Sequence, residues 1–243
     1  MFKRSPSLVE QVKSHLKQRI INAEFEVGRI PPEKDLAAEL GVSRNTIRDA
    51  LSRLEMEGIV VRKQGAGTFV NQAVLFVKTR LEEIIPYEAM IRDHGFTPTV
   101  RLVSVEEISA EPEIASSLNL GDDDKLLVVQ KSFLADAKPV IFTRTYIPPK
   151  IINYPYTSDD LKGPVFQFVP KFCQQEFAYY LTEIIPILAP AWLINQLDLS
   201  QDQLVLISFE EVGYNQNNEP IIKAYSYFRN DLLRLRLIRR QAL

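Results

Sequence analysis

The chain has 243 residues, 46% of them apolar and 25% charged, with 29 Lys+Arg against 31 Asp+Glu, one cysteine (Cys173) and two histidines (His15, His94). This is the composition of a globular chain with one large domain or two modest ones; it excludes an intramolecular disulfide and the usual Cys/His metal sites, and it fits a reducing cytoplasm. No apolar run approaches the roughly 18 residues of a membrane span, and the two basic residues of the opening MFKRSPSLVEQ have no apolar stretch behind them, so no signal peptide is expected. Residues 1–70 hold 12 Lys+Arg and 9 Asp+Glu, and the remainder 17 and 22. A mildly basic head on an acidic body suggests that only the head meets a polyanion.

In chain order, SLVEQVKSHLKQRIINAEF repeats apolar residues at Leu8/Val9, Val12, Leu16 and Ile20 behind Ser5, Pro6 and Ser7, which predicts a first helix. EVGRIPPEKDLAAEL supplies a Gly turn, two prolines and a short helix turned inward on Leu36, Ala37 and Leu40, with Pro32 at or near its first position. In GVSRNTIRDALSRLEMEG (41–58), Ser43 is a natural N-cap and Ile47, Ala50, Leu51 and Leu54 form one helical stripe. Asn45, Arg48, Asp49 and Ser52 lie opposite that stripe, Arg44 stands at its N-terminal edge, and Gly58 is the stop. Alone, this is an ordinary amphipathic helix with a solvated face. After a short helix and a three-residue turn it is the second element of a helix-turn-helix, the one that lies in the major groove. IVVRKQGAGTFV then reads as a hairpin with a glycine-rich tip, and three helices followed by a hairpin make a winged helix. Gly65 and Gly67 have two readings: they supply positive φ for the turn, and they let the backbone approach a phosphate or enter a minor groove.

In the body, NQAVLFVKTR reads as a linker or a strand leaving the wing, and PYEAMIRDHGF as a short helix with Met90 and Ile91 inward and Gly95 as its stop. TVRLVSVEEI, DKLLVVQKSFL, PVIFTRTYIP, QLVLISFEEVGY and PIIKAYSYFRND are β-branched and aromatic runs of strand length, punctuated by turns at 121–124, 136–139 and 215–220. EPEIASSLNL and APAWLINQLDL are helical, and LLRLRLIRR alternates as a strand with one wet face. Strands joined mostly by short turns give an antiparallel sheet with helices on it, an α+β domain. Catalysis finds little support. His15, His94 and Cys173 do not make a nucleophile–base set, Cys173 reads as a half-buried small residue, and Glu106, Glu107 and the acidic run 122–124 sit at strand ends and turns where solvation explains them. Neither a cofactor nor a metal is called for.

The run VGRIPPEKDLAAELGVSRNTIRDALSRLEMEGIVVRKQGAGTFV (27–70) resembles the GntR-type bacterial transcription regulators. The resemblance implies that Arg44 and Arg48 read bases, a task that suits the arginine fork on guanine O6 and N7. It places Thr46 and Arg53 on the DNA backbone beside the cap Ser43 and the outward Asn45, with Arg62, Gly65 and Gly67 in the wing. Two positions depart from the pattern: Pro32 replaces a serine cap, and Lys34 replaces an arginine that contacts the operator, keeping charge but losing bidentate geometry.

The body, through LADAKPVIFTRTYIP and YNQNNEPIIKAYSYFRND, resembles the UTRA effector-binding domain of the HutC-type branch, whose fold is similar to chorismate lyase and which dimerises and binds a small molecule. Sugar-phosphate-sensing members carry an Arg-x-Arg pair where this chain has Lys131-Ser132-Phe133. They carry a Glu at Thr143, a Ser at Pro164, and a Glu and a Tyr at Ile222 and Phe228. The loop whose N–H groups would bind phosphate reads Ile84-Ile85-Pro86. With Lys131 the remaining cation, these residues point to an amphipathic or aromatic acid rather than a sugar phosphate; the alternative is that their apolar side chains close the pocket as core.

The expected architecture is a winged helix-turn-helix domain (1–72), a linker (73–82) with the hinge around residues 71–80, and a UTRA-type domain (83–243). The expected function is a cytoplasmic, homodimeric, effector-responsive repressor on a pseudo-palindromic double-stranded operator. The competing reading is a chorismate-lyase-like enzyme fused to a DNA-binding head.

Overall fold

The computed structural model describes residues 7–25, 28–72, 81, 84–121 and 124–237. It divides into two compact units, Leu81–Leu235 and a unit of Met1–Arg80 with Arg236–Leu243. Apart from Leu81, the expected linker 73–82 lies outside the described residues.

The first unit is built from α1 (Leu8–Ile21), β1 (Arg29–Ile30), α2 (Glu33–Leu40), α3 (Arg44–Met56), β2 (Val60–Lys63) and β3 (Gly67–Val70). Val12, Leu16 and Ile20 of α1 meet Leu36 and Ala37 of α2 and the Ile47, Ala50, Leu51 and Leu54 stripe of α3 in one core. Pro32 is the residue before α2 rather than its first, and it offers no side-chain cap. Gly41, at φ 64°, closes α2 and turns the chain into α3. The Ser43 hydroxyl accepts from the Thr46 N–H at 3.1 Å. Ser43→Ala is expected to cost about 1 kcal/mol of stability, measurable by urea denaturation of the full chain. The hairpin of β2 and β3 gains a third strand that was not expected from the sequence: β1 pairs with β3, setting Ile30 opposite Thr68 and burying Ile30 in the helical core.

The second unit is a six-stranded antiparallel sheet. In chain order it contains α4 (Tyr87–Asp93), β4 (Pro98–Ser109), α5 (Pro112–Ser117), β5 (Lys125–Ala135), β6 (Lys138–Ile147), α6 (Val165–Phe168), a π turn (Val169–Cys173), β7 (Phe177–Leu188), α7 (Ala191–Leu197), β8 (Val205–Asn215) and β9 (Pro220–Phe228). The strand order is β4-β5-β6-β9-β8-β7. Side chains alternate between faces, and both faces are covered. Leu126, Val128 and Tyr146 pack with α5, and Phe142 and Leu206 pack with α7. On the other face Leu127, Val129 and Ile222 pack with residues 151–173, and Phe133, Ile141 and Phe228 with α4. Double coverage explains why β5 and β6 are buried almost end to end.

Four expectations are corrected. β7 was not read from the sequence; it is an edge strand, where Pro186 is tolerated because a missing donor leaves no inner ladder broken. Within the described part of the run from Leu232 onward, 232–237, no strand forms beyond a single bridge residue at Arg236. Leu233 is buried and Leu232 and Leu235 pack on the cluster beneath α4, whose strands β6, β8 and β9 already have partners on both sides, while residues 238–240 lie outside the described residues. Glu106 and Glu107 lie within β4 and are exposed. Cys173 is fully buried, and burial pushes its thiol up to about 11, which makes it inert.

Candidate nucleic-acid interface and effector site

The N-terminal turn of α3 faces outward. Arg44 and Asn45 are exposed, and neither side chain has a partner among the described residues. Thr46 is held back against the cap, its Oγ1 2.8 Å from Ser43 Oγ. Arg48, one turn on, is exposed but bridged to Glu33 in the first turn of α2, with Nη2 3.1 Å and Nε 3.3 Å from Oε2. An exposed pair of this kind is worth about 0–1 kcal/mol, so a phosphate or base can draw the arginine away, yet the pair sets its resting direction. Lys34, next to Glu33, is exposed and forms no ion pair among the described residues.

Two other basic positions brace the fold. Arg53 pairs with Glu10 of α1. Glu10 also meets Lys13 at 2.9 Å, and Lys13 and then Arg53 hold its carboxyl below the usual range. Arg62 of β2 donates from Nη2 to the Arg48 carbonyl at 3.1 Å, and its backbone N–H donates to Glu55 Oε1 at 3.2 Å. The wing strand is thereby fixed to the helix that carries Arg48. At the wing tip Gly65 (φ 74°) and Gly67 (φ 111°) take backbone angles that disfavour side chains. The Arg29 guanidinium caps the turn, donating to the Ala66 carbonyl at 3.1 Å.

In the second unit, most of the expected effector residues share one sheet face. Lys131 pairs in register with Thr143, and Thr143 with Ser226. Lys131 is 5% exposed and donates from Nζ to the Gly163 carbonyl at 2.6 Å, and burial pushes its amine down to about 8 against the pull of Glu88. Gly163 precedes Pro164, the residue before α6. Phe133 and Phe228 flank the Tyr87 ring edge-on at 5.2 and 5.4 Å between centroids. Ile222 lies toward the other end of β9, in the cluster with Phe168 and Phe172. Pro86 precedes α4 and has no N–H, Ile85 packs on the cluster beneath α4, and Ile84 is exposed. The structure therefore brings Lys131, Phe133, Thr143, Pro164 and Phe228 into one region and sets Ile222 and Ile84 apart from it.

Residues 8–70 match the family described as "Bacterial regulatory proteins, gntR family", and residues 93–234, more than half the chain, match the UTRA domain. This chain belongs to the GntR family and carries a UTRA domain. It is similar to the transcriptional repressor NagR of Bacillus subtilis, 26% identical over 231 residues that cover 94% of this chain and 93% of that one. It is also similar to the mannosyl-D-glycerate transport/metabolism system repressor MngR of Escherichia coli, 23% identical with 82% of each chain covered. The crystal structure of the possible regulator YydK of Bacillus subtilis shares the fold at a TM-score of 0.77 and 17% identity, covering 98% of this chain and all of that one.

As a GntR-family regulator with a UTRA domain, the protein binds operator DNA through its head and a small molecule through its body, and the enzyme alternative falls. Among the described residues no group of three or more His, Cys, Asp or Glu side chains is arranged to hold a metal, and no helix is long and apolar enough to cross a membrane. Sequence reading missed polar groups on the sheet face that carries Lys131. Glu211 of β8 faces the same way as Ala224 of β9, and accepts from Thr182 Oγ1 at 2.9 Å. Tyr87 donates from its hydroxyl to Ser226 Oγ at 2.8 Å. The one available signal was the pair Glu210-Glu211 inside a strand, since alternation must turn one of two neighbours inward.

Proposed function

We propose that the protein is a homodimeric repressor of the HutC-type branch, acting in the cytoplasm. Its two heads (1–72) each place one α3 in the major groove of a pseudo-palindromic operator. Arg44 and Arg48 read bases; Lys34, Thr46, Arg53, Arg62 and the wing tip at 65–67 meet the backbone, with Ser43 and Asn45 at the helix entrance. The observation that carries this reading is the outward, partner-free Arg44 at the capped start of a helix whose other face is core. The two relatives named above, repressors in two organisms, favour repression over activation.

Release follows from a small acid seated on the sheet face around Lys131, Phe133, Thr143 and Phe228, with Pro164 and the 84–86 loop at its border and Ile222 further along β9. The ligand must favour one arrangement of the heads, transmitted through the hinge around 71–80, because only differential affinity shifts an equilibrium. A coupling of about 1–3 kcal/mol changes operator affinity roughly 5–150-fold. Footprinting on genomic fragments, with light scattering of the complex, is expected to give two protected half-sites per dimer. A single protected half-site bound by monomer overturns the reading.

A further inference from the structure

We infer that the effector is a zwitterion or an equivalent bifunctional molecule: its acid group is taken by Lys131 at one pole of the sheet face, and a hydrogen-bond-donating cationic group by Glu211 at the other. This rests on the reading of that face as the effector site and adds a second pole to it.

The register fixes the frame. One row across the face runs Lys131, Thr143, Ser226, Phe209; the next runs Val129, Thr145, Ala224, Glu211, Thr182. Lys131 on β5 and Glu211 on β8 are thus three strands and one row apart, roughly 16 Å between backbones, and their side chains rise from the same side. Reach from both ends narrows this to the length of one small molecule.

Polar groups on this face have hydrogen-bonding capacity that the protein leaves unused. Thr143, between the poles, is 3% exposed and its Oγ1 has no partner among the described residues, and the Tyr180 hydroxyl, on β7 beyond the Glu211 pole, is likewise buried without one. Lys131 uses one of its three donors, on the Gly163 carbonyl. Glu211 accepts from Thr182 Oγ1 and also lies within hydrogen-bonding reach of the Tyr87 hydroxyl; burial raises its carboxyl above the usual range, a cost that a cationic partner would offset, and carboxylates offer about four lone-pair sites. Buried polar groups are normally satisfied; among the described residues Ser132, Arg144 and Ser208 on the opposite face also go unmet, and what sets this face apart is that its two unmet hydroxyls accompany a buried cation and a buried carboxyl.

Sign decides the ligand class. A simple acid satisfies Lys131 but shares the enclosed face with the Glu211 carboxylate, and a phosphate does so with more charge. A cation alone repeats the problem at Lys131. A molecule carrying both groups satisfies both poles and brings no net charge into a poorly solvated site. The Tyr87, Phe133 and Phe228 rings give its apolar part a wall.

The test is thermal shift on the full chain with three matched probe sets: free L-amino acids together with 4-(aminomethyl)benzoate, their N-acetyl derivatives, and the corresponding amines. At least one zwitterion is expected to raise Tm in a concentration-dependent way, with its N-acetyl and amine counterparts about tenfold weaker or worse. Glu211→Gln is expected to weaken that probe about tenfold, Glu211→Asp to restore part of the response, and Glu210→Gln, on the opposite face, to leave it unchanged. If Glu211→Gln does not fold, the discrimination between matched probes by the unaltered protein still decides. Stabilisation by N-acetyl acids as strong as by the zwitterions, lost in Lys131→Met but kept in Glu211→Gln, overturns the second pole while sparing the effector site. Stabilisation indifferent to both Lys131→Met and Glu211→Gln overturns the site with it, and no response to any zwitterion overturns the inference.

Discussion

Arg44→Ala is expected to weaken operator binding by about 1–3 kcal/mol and to relax base preference at one position in each half-site. The size follows from the resting state of the side chain. Arg44 is exposed and unpaired among the described residues, so on reaching a base it surrenders water and side-chain freedom but no protein contact. Arg48 starts from a different place, since its guanidinium rests on Glu33 at 3.1 Å. Arg48→Ala is therefore expected to cost less than Arg44→Ala, because part of what the arginine gains from DNA replaces the bridge. Glu33→Gln isolates that difference: it removes the competing carboxylate and should tighten binding by up to about 1 kcal/mol, an effect absent once Arg48 is alanine. Competition binding at fixed salt, with operators permuted one base pair at a time, measures the three single variants and the Glu33→Gln/Arg48→Ala double variant against the unaltered protein. Equal losses for the two arginines, or a Glu33→Gln effect that persists without Arg48, would show that the bridge does not bear on recognition. Arg62→Ala belongs to a third kind. It breaks a contact between wing and helix, so it should weaken binding to every sequence together.

The head was legible because its signals are local. The stripe Ile47, Ala50, Leu51, Leu54, the cap at Ser43 and the glycines at 41 and 58 each act within a turn or two of chain, and the structure uses all of them. What the sequence hid is non-local. Arg53 meets Glu10 across 43 positions and Arg48 meets Glu33 across 15, so neither brace follows from spacing. β1 has two residues and exists through pairing with β3. β7 defeats the alternation test because Leu181, Ile184 and Leu188 are all exposed along an edge and Pro186 interrupts them. The candidate effector face was legible in part. The strand with Lys131 and Phe133 gave itself away by burial on both sides, whereas the facing of Glu211 depends on register with β7 and β9, which no local pattern sets.

Phe142→Ala is expected to destabilise the second unit by about 3–5 kcal/mol. Phe142 is fully buried on the face opposite Lys131 and packs with Leu193 and Leu197 of α7 and with Leu206 of β8. Its ring meets Trp192 edge-on at 5.7 Å, and Trp192 in turn meets Tyr227 at 5.7 Å and lies under the Arg144 guanidinium at 5.0 Å. Truncation to a methyl group removes the apolar body on which α7 rests, and strands bonded on both sides do not close around the space, so a cavity persists. A domain's whole stability is about 5–15 kcal/mol, so the loss takes a large share of it. Trp192 is the chain's single tryptophan, which makes its emission a reporter of this unit alone. Urea titration followed by that emission should show a lower midpoint at unchanged slope, the mark of lost stability without a change in exposed surface. Phe142→Leu, which keeps most of the volume, should recover more than half of the loss. A shift below about 1 kcal/mol for Phe142→Ala would place it with ordinary surface substitutions and mean that α7 does not dock on β6 through this ring.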